Sequence, residues 1–275
     1  MIPTPMRVAL IVLSLLACER GAPQRVGPPR IVSLTPSATE VVAALGATPL
    51  LVGVDDYSKY PPEVTRLPKV GSFLQPNLET IVKLAPTLVI VDDIHGQVAD
   101  ALRDHGLTAV QCPMHALPDV KAALRSVGAK LGRTAQAEAA VTAIDTALDR
   151  AAAARPARHP RVLAVIDREA GGLGNLVVAG RGSWVDELLA VVGGDNVLAA
   201  SGVLYPKISL EEVLRSQPEV ILDLSFAGTA NLAEWNAVDV PAVKTKRIVA
   251  LSDPYLLAPS PRVAEALATL ANAIR

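Results

Sequence analysis

The sequence predicts an α/β protein: two Rossmann-like lobes, each a parallel-type sheet flanked by helices, joined by one long rigid α-helix. Three observations carry this. Short β-branched runs alternate with helical segments along most of the 275 residues, the rhythm of parallel βαβ units. Residues 134–155 are rich in Ala and hold neither Gly nor Pro. Segment 77–91, NLETIVKLAPTLVIV, is echoed at 209–223, SLEEVLRSQPEVILD.

The chain opens on a predicted leader rather than on structure. In residues 1–17, Arg7 gives a positive start and 8–16 form a short apolar run, the pattern of a signal peptide. Leu15-Leu16-Ala17-Cys18 follows and resembles a bacterial lipobox, so Cys18 is the expected lipidation site. Residues 18–29 are rich in Pro and Gly and read as a tether.

The N-terminal lobe is expected over 30–133. A strand at 30–34 leads into Ser37-Ala38-Thr39-Glu40, which reads as a capping box for a helix closed by Gly46. A strand follows at 50–54. Asn77 caps a helix that Pro86 ends, before an apolar strand at 88–91. A helix at 98–105 ends at Gly106, and 108–111 is another strand. In the connecting segment Val141, Ile144 and Leu148 share one face, and twenty-odd residues at 1.5 Å each give a helix of roughly 30 Å. An ordinary packed helix has the same pattern; placement between two echoed halves points to a connector. The strand–helix alternation resumes at Arg161 and runs through a C-terminal lobe, 156–275. Two related lobes leave a cleft between them, a common place for a ligand.

Composition narrows the function. A net charge of −1 argues against nucleic-acid binding. No apolar run is long enough to span a bilayer as a helix, so membrane attachment is expected through the lipid alone. With Cys18 lipidated, Cys112 has no partner for a disulfide. A zincin pair, a nucleophile elbow and a Walker motif are all missing. Gly171-Gly172-Leu173-Gly174 leads into an apolar run rather than a helix, so it is not a dinucleotide fingerprint. No catalytic residue and no resident cofactor or metal is expected.

Aromatics make up only 3% of the chain, which leaves aliphatic cores. Tyr57, Tyr60, Phe73, Tyr205, Phe226 and Tyr255 fall in predicted loops. Such loops face the crevice of an open α/β sheet, although single loop aromatics also serve as packing anchors. Together they suggest a flat-walled cleft for a large planar or amphipathic ligand. His95 and His115 follow strands and are candidate axial ligands for a metal carried by that ligand; solvated loop histidines fit the same positions. Gly180-Arg181-Gly182-Ser183 opens a helix and is either a plain cap or a hold for an anionic or amide group. Arg262 is a second cleft candidate for an anionic cargo. Glu79 and Glu211 each occupy a first helical turn, where the dipole favours acids. Their symmetric placement also offers a partner two acidic points, one per lobe.

The stretches RIVSLTPSATEVVAALG, VDDYSKYPPEV, NLETIVKLAPTLVI, GSWVDELLAVVGGDNVL, YPKISLEEVL and SPRVAEAL together resemble the cobalamin/iron-complex periplasmic binding proteins of ABC importers, over most of residues 30–275. Within that family the resemblance leans toward the cobalamin binders. It implies two lobes with little hinge closure and a monomeric, lipid-anchored, extracytoplasmic protein. The implied cargo is a small-molecule chelate, a corrinoid first and haem or a ferric siderophore second. The implied partner is an ABC permease dimer with its ATPase subunits. Glu79 and Glu211 then correspond to carboxylates that dock on permease arginines, and Tyr57, Phe73, Tyr205 and Tyr255 to cleft aromatics. The rivals are an enzyme on the same bilobal plan and a surface lipoprotein without a transport role.

Overall fold

The computed structural model describes residues 27–225 and 231–275. The expected leader 1–17, Cys18, the tether as far as residue 26, and Phe226 lie outside the described residues.

Two sheets form. The first contains β1 (Ile31–Ser33), β2 (Leu51–Val54), β3 (Leu88–Val91) and β4 (Ala109–Gln111), in the order β2-β1-β3-β4 and parallel throughout. Between them run α1 (Pro36–Ala44), α2 (Leu78–Lys83) and α3 (Gly96–Asp104). β3 is buried along its whole length, as expected for a strand covered on both faces. α4 (Leu117–Lys130) closes this lobe, and α5 (Thr134–Ala153) leaves it.

The second sheet departs from the expected parallel pattern. β5 (Arg161–Asp167), β9 (Val220–Asp223) and β10 (Ile248–Ala250) are parallel. β6 (Leu176–Val178) runs antiparallel to β5, and β8 (Lys207–Ile208) antiparallel to β6. The short β7 (Asp195–Asn196) pairs in parallel with β5. The Gly171–Gly174 segment makes the turn that allows this: β5 passes straight into β6 as a hairpin, with no crossover helix between them. α6 (Trp184–Val192) and α7 (Leu210–Ser216) pack around this sheet, with the C-terminal helix Val263–Ala273.

α5 has 20 residues, about 30 Å of helix, and buries Ala137, Val141 and Ile144. These join a single apolar cluster that runs from Val41 and Leu45 of the first lobe to Leu188 and Leu267 of the second. The connector is therefore a packed wall as well as a strut. Arg133 and Arg155, just outside its ends, donate to Leu45 O (3.1 Å) and Val191 O (2.7 Å), pinning one end to each lobe.

The predicted capping box at Ser37 and Glu40 does not form. The cap is Thr35, whose Oγ1 accepts from Ala38 N at 3.1 Å, and Pro36 opens the helix. Glu40 is buried and reaches across to the other lobe. Its carboxylate accepts from Arg262 Nη2 (2.5 Å) and Nε (2.9 Å), and from the Ser260 hydroxyl. With the helix opening at Pro36, Ser37 lies inside its first turn and cannot cap it, and the Glu40 carboxylate is neutralised across the lobes instead.

Candidate functional site

Between the two sheets lies a cleft of about 540 Å³. The first lobe lines it with Thr35, Pro36, Ser37, Tyr57, Phe73, Asp92, Ile94, Met114 and His115, the second with Ile166, Tyr205 and Leu257–Pro259. The first-lobe residues lie in the segments after β1 to β4, Ile166 lies at the end of β5 and Leu257–Pro259 come after β10, the expected place for a ligand in an open α/β sheet; Tyr205 comes from the segment before β8.

Tyr57 and Tyr205 present one aromatic ring per lobe and are 63% and 42% exposed. Tyr57 rests on a buried polar chain. Asp55 Oδ1 accepts from the amides of Tyr57 (2.8 Å) and Ser58 (3.1 Å), and Asp55 Oδ2 accepts from the Ser58 hydroxyl. Ser58 continues to Thr39 (2.7 Å) and Thr39 to Ser33 (2.5 Å). Lys69 Nζ donates at 3.0 Å to both Asp55 O and Ser58 O, closing the turn. Burial pushes the Asp55 carboxyl up, against the pull of these hydrogen bonds. The loop that carries Tyr57 is therefore pinned from beneath.

Tyr205 is held differently. Gly180 N donates to Leu204 O at 2.8 Å. A Cβ at Gly180 would lie 2.1 Å from Val203 O, so the loop can approach only because residue 180 is glycine.

Phe73 sits edge-on to His95, with ring centroids 5.5 Å apart. His95 is buried beneath the cleft, unlike the axial ligand considered from sequence. Its Nδ1 accepts from Asp92 N (3.0 Å), which leaves Nε2 carrying the hydrogen toward Phe73 O at 2.6 Å. Both nitrogens are used, and His95 acts to position the Phe73 loop. His115 does line the cleft. Its Nε2 lies 3.1 Å from both carboxylate oxygens of Asp93, and that hydrogen bond raises the imidazole pKa above its usual value.

The remaining candidates stand apart from the cleft. Tyr255 turns away: its OH meets Thr269 Oγ1 at 3.0 Å, and its ring lies 4.6 Å from the Arg262 guanidinium. Arg262 is committed to Glu40 and is not free for an anionic cargo. Arg181 faces a separate depression with His159, Asp186 and Asn196. The amide of Gly182 is already taken by Asp186 Oδ2 at 2.8 Å, so the helix supplies its own anion. The free Cys112 is buried, and burial pushes its thiol up to about 11, so it is inert.

Glu79 and Glu211 are exposed in the first turns of α2 and α7. Asn77 caps α2 by accepting from Thr80 N at 2.9 Å, whereas Ser209 makes no such bond to its helix backbone. A hydrogen bond from the Ser209 side chain instead holds the Glu211 carboxyl below its usual range.

Sequence reasoning did not find the cleft contributions of Thr35–Ser37, Ile94, Ile166 and Leu257–Pro259, because these residues carry no chemical signature and are placed by the packing of two lobes. Met114 and Asp92 sit beside the histidines singled out from sequence, and their positions at strand ends were the available signal.

A family model described as "Periplasmic binding protein" matches residues 31–255. A vitamin B12-binding protein of Salmonella choleraesuis is 31% identical over 251 residues, covering 90% of each chain. Among solved structures, the periplasmic heme-binding protein RhuT from Roseiflexus sp. RS-1 superposes with a TM-score of 0.78 at 32% identity, covering 90% of this chain and 98% of that one. The periplasmic vitamin B12 binding protein BtuF of Vibrio cholerae gives 0.71 at 28% identity, covering 90% and 96%.

Proposed function

From the premise that the chain belongs to the periplasmic binding protein family, we propose that it is the lipid-anchored, extracytoplasmic substrate-binding protein of an ABC importer, and that its cargo is a corrinoid such as cobalamin. One observation carries the choice of cargo. The cleft presents Tyr57, Phe73 and Tyr205, carries the carboxylate of Asp92, and, among the described residues, has no Lys or Arg in its lining. A corrinoid offers broad apolar faces and a rim of neutral amides, which carboxylate, hydroxyl and backbone groups can accept from. A ferric siderophore bearing net negative charge would need cationic groups, and the two arginines suggested for that task are engaged or placed elsewhere.

No chemistry is required of this site. Binding draws on burial of aromatic and aliphatic surface, with a few polar contacts that fix orientation. The docking of Glu79 and Glu211 on permease arginines and the acylation of Cys18 belong to the same proposal. A Cys18→Ser variant is expected to move from the membrane to the soluble fraction on fractionation; its retention in the membrane would remove the anchor from the account.

Haem is the second reading. Tyr57 and His115 both line the cleft, and both residue types ligate haem iron. Its carboxylates, however, would meet the Asp92 side chain and, among the described residues, no Lys or Arg in the lining. Titrating the purified protein with cyanocobalamin, followed by calorimetry, is expected to saturate at one ligand per chain. Tyr57→Ala and Tyr205→Ala are each expected to weaken it about tenfold, ~1.4 kcal/mol. A saturable Soret shift with haem and no heat with cobalamin would replace the corrinoid reading with the second one.

A further inference from the structure

The floor of the cleft carries a cluster of two carboxylates and an imidazole. Asp92 and Asp93 follow β3, and His115 follows β4 on the neighbouring strand. The parallel pairing of these strands brings the three side chains together, with one donor atom of each lying within 4.8 Å of the others. His115 Nε2 lies 3.1 Å from Asp93 Oδ1 and 4.0 Å from Asp92 Oδ1.

Asp92 makes the cluster more than an exposed acidic patch. Its side chain is only 7% exposed, and its buried Oδ1 has no hydrogen-bond partner, although the residue lines the cleft. Such an oxygen costs about 1–3 kcal/mol when left unsatisfied, and more when charged. Among the described residues, no lysine or arginine forms an ion pair with Asp92 or Asp93.

The surrounding backbone holds the donors in place. The Asp92 amide is bound to His95 Nδ1 at 3.0 Å. The His115 and Ala116 amides both donate to Asp119 Oδ2, at 3.0 Å each, at the start of α4. Donors at about 2.0–2.2 Å from a single tetrahedral ion are separated by roughly 3.3 Å. The observed 3.1 and 4.0 Å lie on either side of that spacing.

We propose that Asp92, Asp93 and His115 form a site for a divalent transition-metal ion, of which zinc is the representative, on the floor of the cleft. One imidazole and two carboxylates suit a borderline first-row ion. Three protein donors leave a coordination position for water or for a donor atom of a ligand in the cleft. The ion supplies the partner that the buried Asp92 Oδ1 lacks. This proposal is independent of the cargo, and its test contains none.

The test is calorimetric titration of chelator-stripped protein with Zn²⁺ alone, with Co²⁺ absorption as the second readout. The expected result is one Zn²⁺ per chain, together with visible Co²⁺ bands of a low-coordinate nitrogen/oxygen site. His115→Ala and Asp93→Asn are each expected to weaken binding by at least about tenfold. Both side chains are half exposed, so these variants should fold even where an Asp92 variant does not. His159→Ala, in the depression shared with Arg181, should leave binding unchanged. Failure to saturate with Zn²⁺, or binding that survives His115→Ala at full affinity, would overturn the proposal. Binding lost in His159→Ala instead would place the metal elsewhere and overturn it equally.

Discussion

The Glu79→Ala/Glu211→Ala double variant is expected to bind its cargo with unchanged affinity and to lose at least about a hundredfold in uptake. Both carboxylates are exposed, one on each lobe, at matching positions in short helices. Among the described residues, neither is engaged in an ion pair. Exposed apolar side chains accompany them: Val82 on α2, and Leu210 and Leu214 on α7. Removing a first-turn acid costs a helix only about 0.3–1 kcal/mol, so the folded protein tolerates both changes. Losing one partner of a desolvated charge pair at an interface costs about 2–5 kcal/mol. Two such losses stop productive docking while the cleft is untouched. Cargo uptake by cells, measured beside ligand titration of the same variant, separates the two effects. Unchanged uptake would remove the docking role and favour a surface lipoprotein without a transport function.

Arg262→Ala is expected to destabilise the protein by about 3–5 kcal/mol, because it leaves the Glu40 carboxylate buried and unpaired. That is a large part of the roughly 5–15 kcal/mol typical of folded domains. Two parallel hydrogen bonds join the guanidinium to the carboxylate. The guanidinium also lies over the rings of Tyr60 (4.1 Å) and Tyr255 (4.6 Å). Because Glu40 lies in α1 and Arg262 precedes the C-terminal helix, the pair clamps one lobe to the other. A second tie, from Leu117 N to Glu187 Oε2 at 2.9 Å, links α4 to α6. Replacing both partners with Glu40→Leu and Arg262→Met should recover much of the loss, since no charge is then stranded. Urea denaturation of the single and double variants measures this. A single variant within about 1 kcal/mol of the wild type would show that the clamp carries no weight.

The readings that succeeded and failed differ in the range of the interactions behind them. Helix α5 was legible because Gly and Pro are missing over twenty residues and one apolar face repeats. β1, β3 and α2 follow from equally local patterns. Glu40 was misread because the local grammar of Ser-x-x-Glu is common, while its actual partner is 222 residues away. The antiparallel β6 is three residues long, and nothing so short announces its direction. Arg181 was read from its position at a helix start, yet Asp186 at the third turn position already marks a helix that caps itself. In the cleft, Tyr57, Phe73 and Tyr205 were found because aromatics are scarce and fall in loops. The unpartnered oxygen of Asp92 was not legible, since it depends on what two neighbouring strands leave uncovered.

The most direct test of a preformed cleft between two clamped lobes is a crystal structure of the protein grown with cobalamin. The corrin ring is expected between Tyr57 of one lobe and Tyr205 of the other, with the Glu40–Arg262 pair intact and the lobes in their present relation. A corrinoid seated outside this cleft, or a clamshell closure that parts Glu40 from Arg262, would contradict the account.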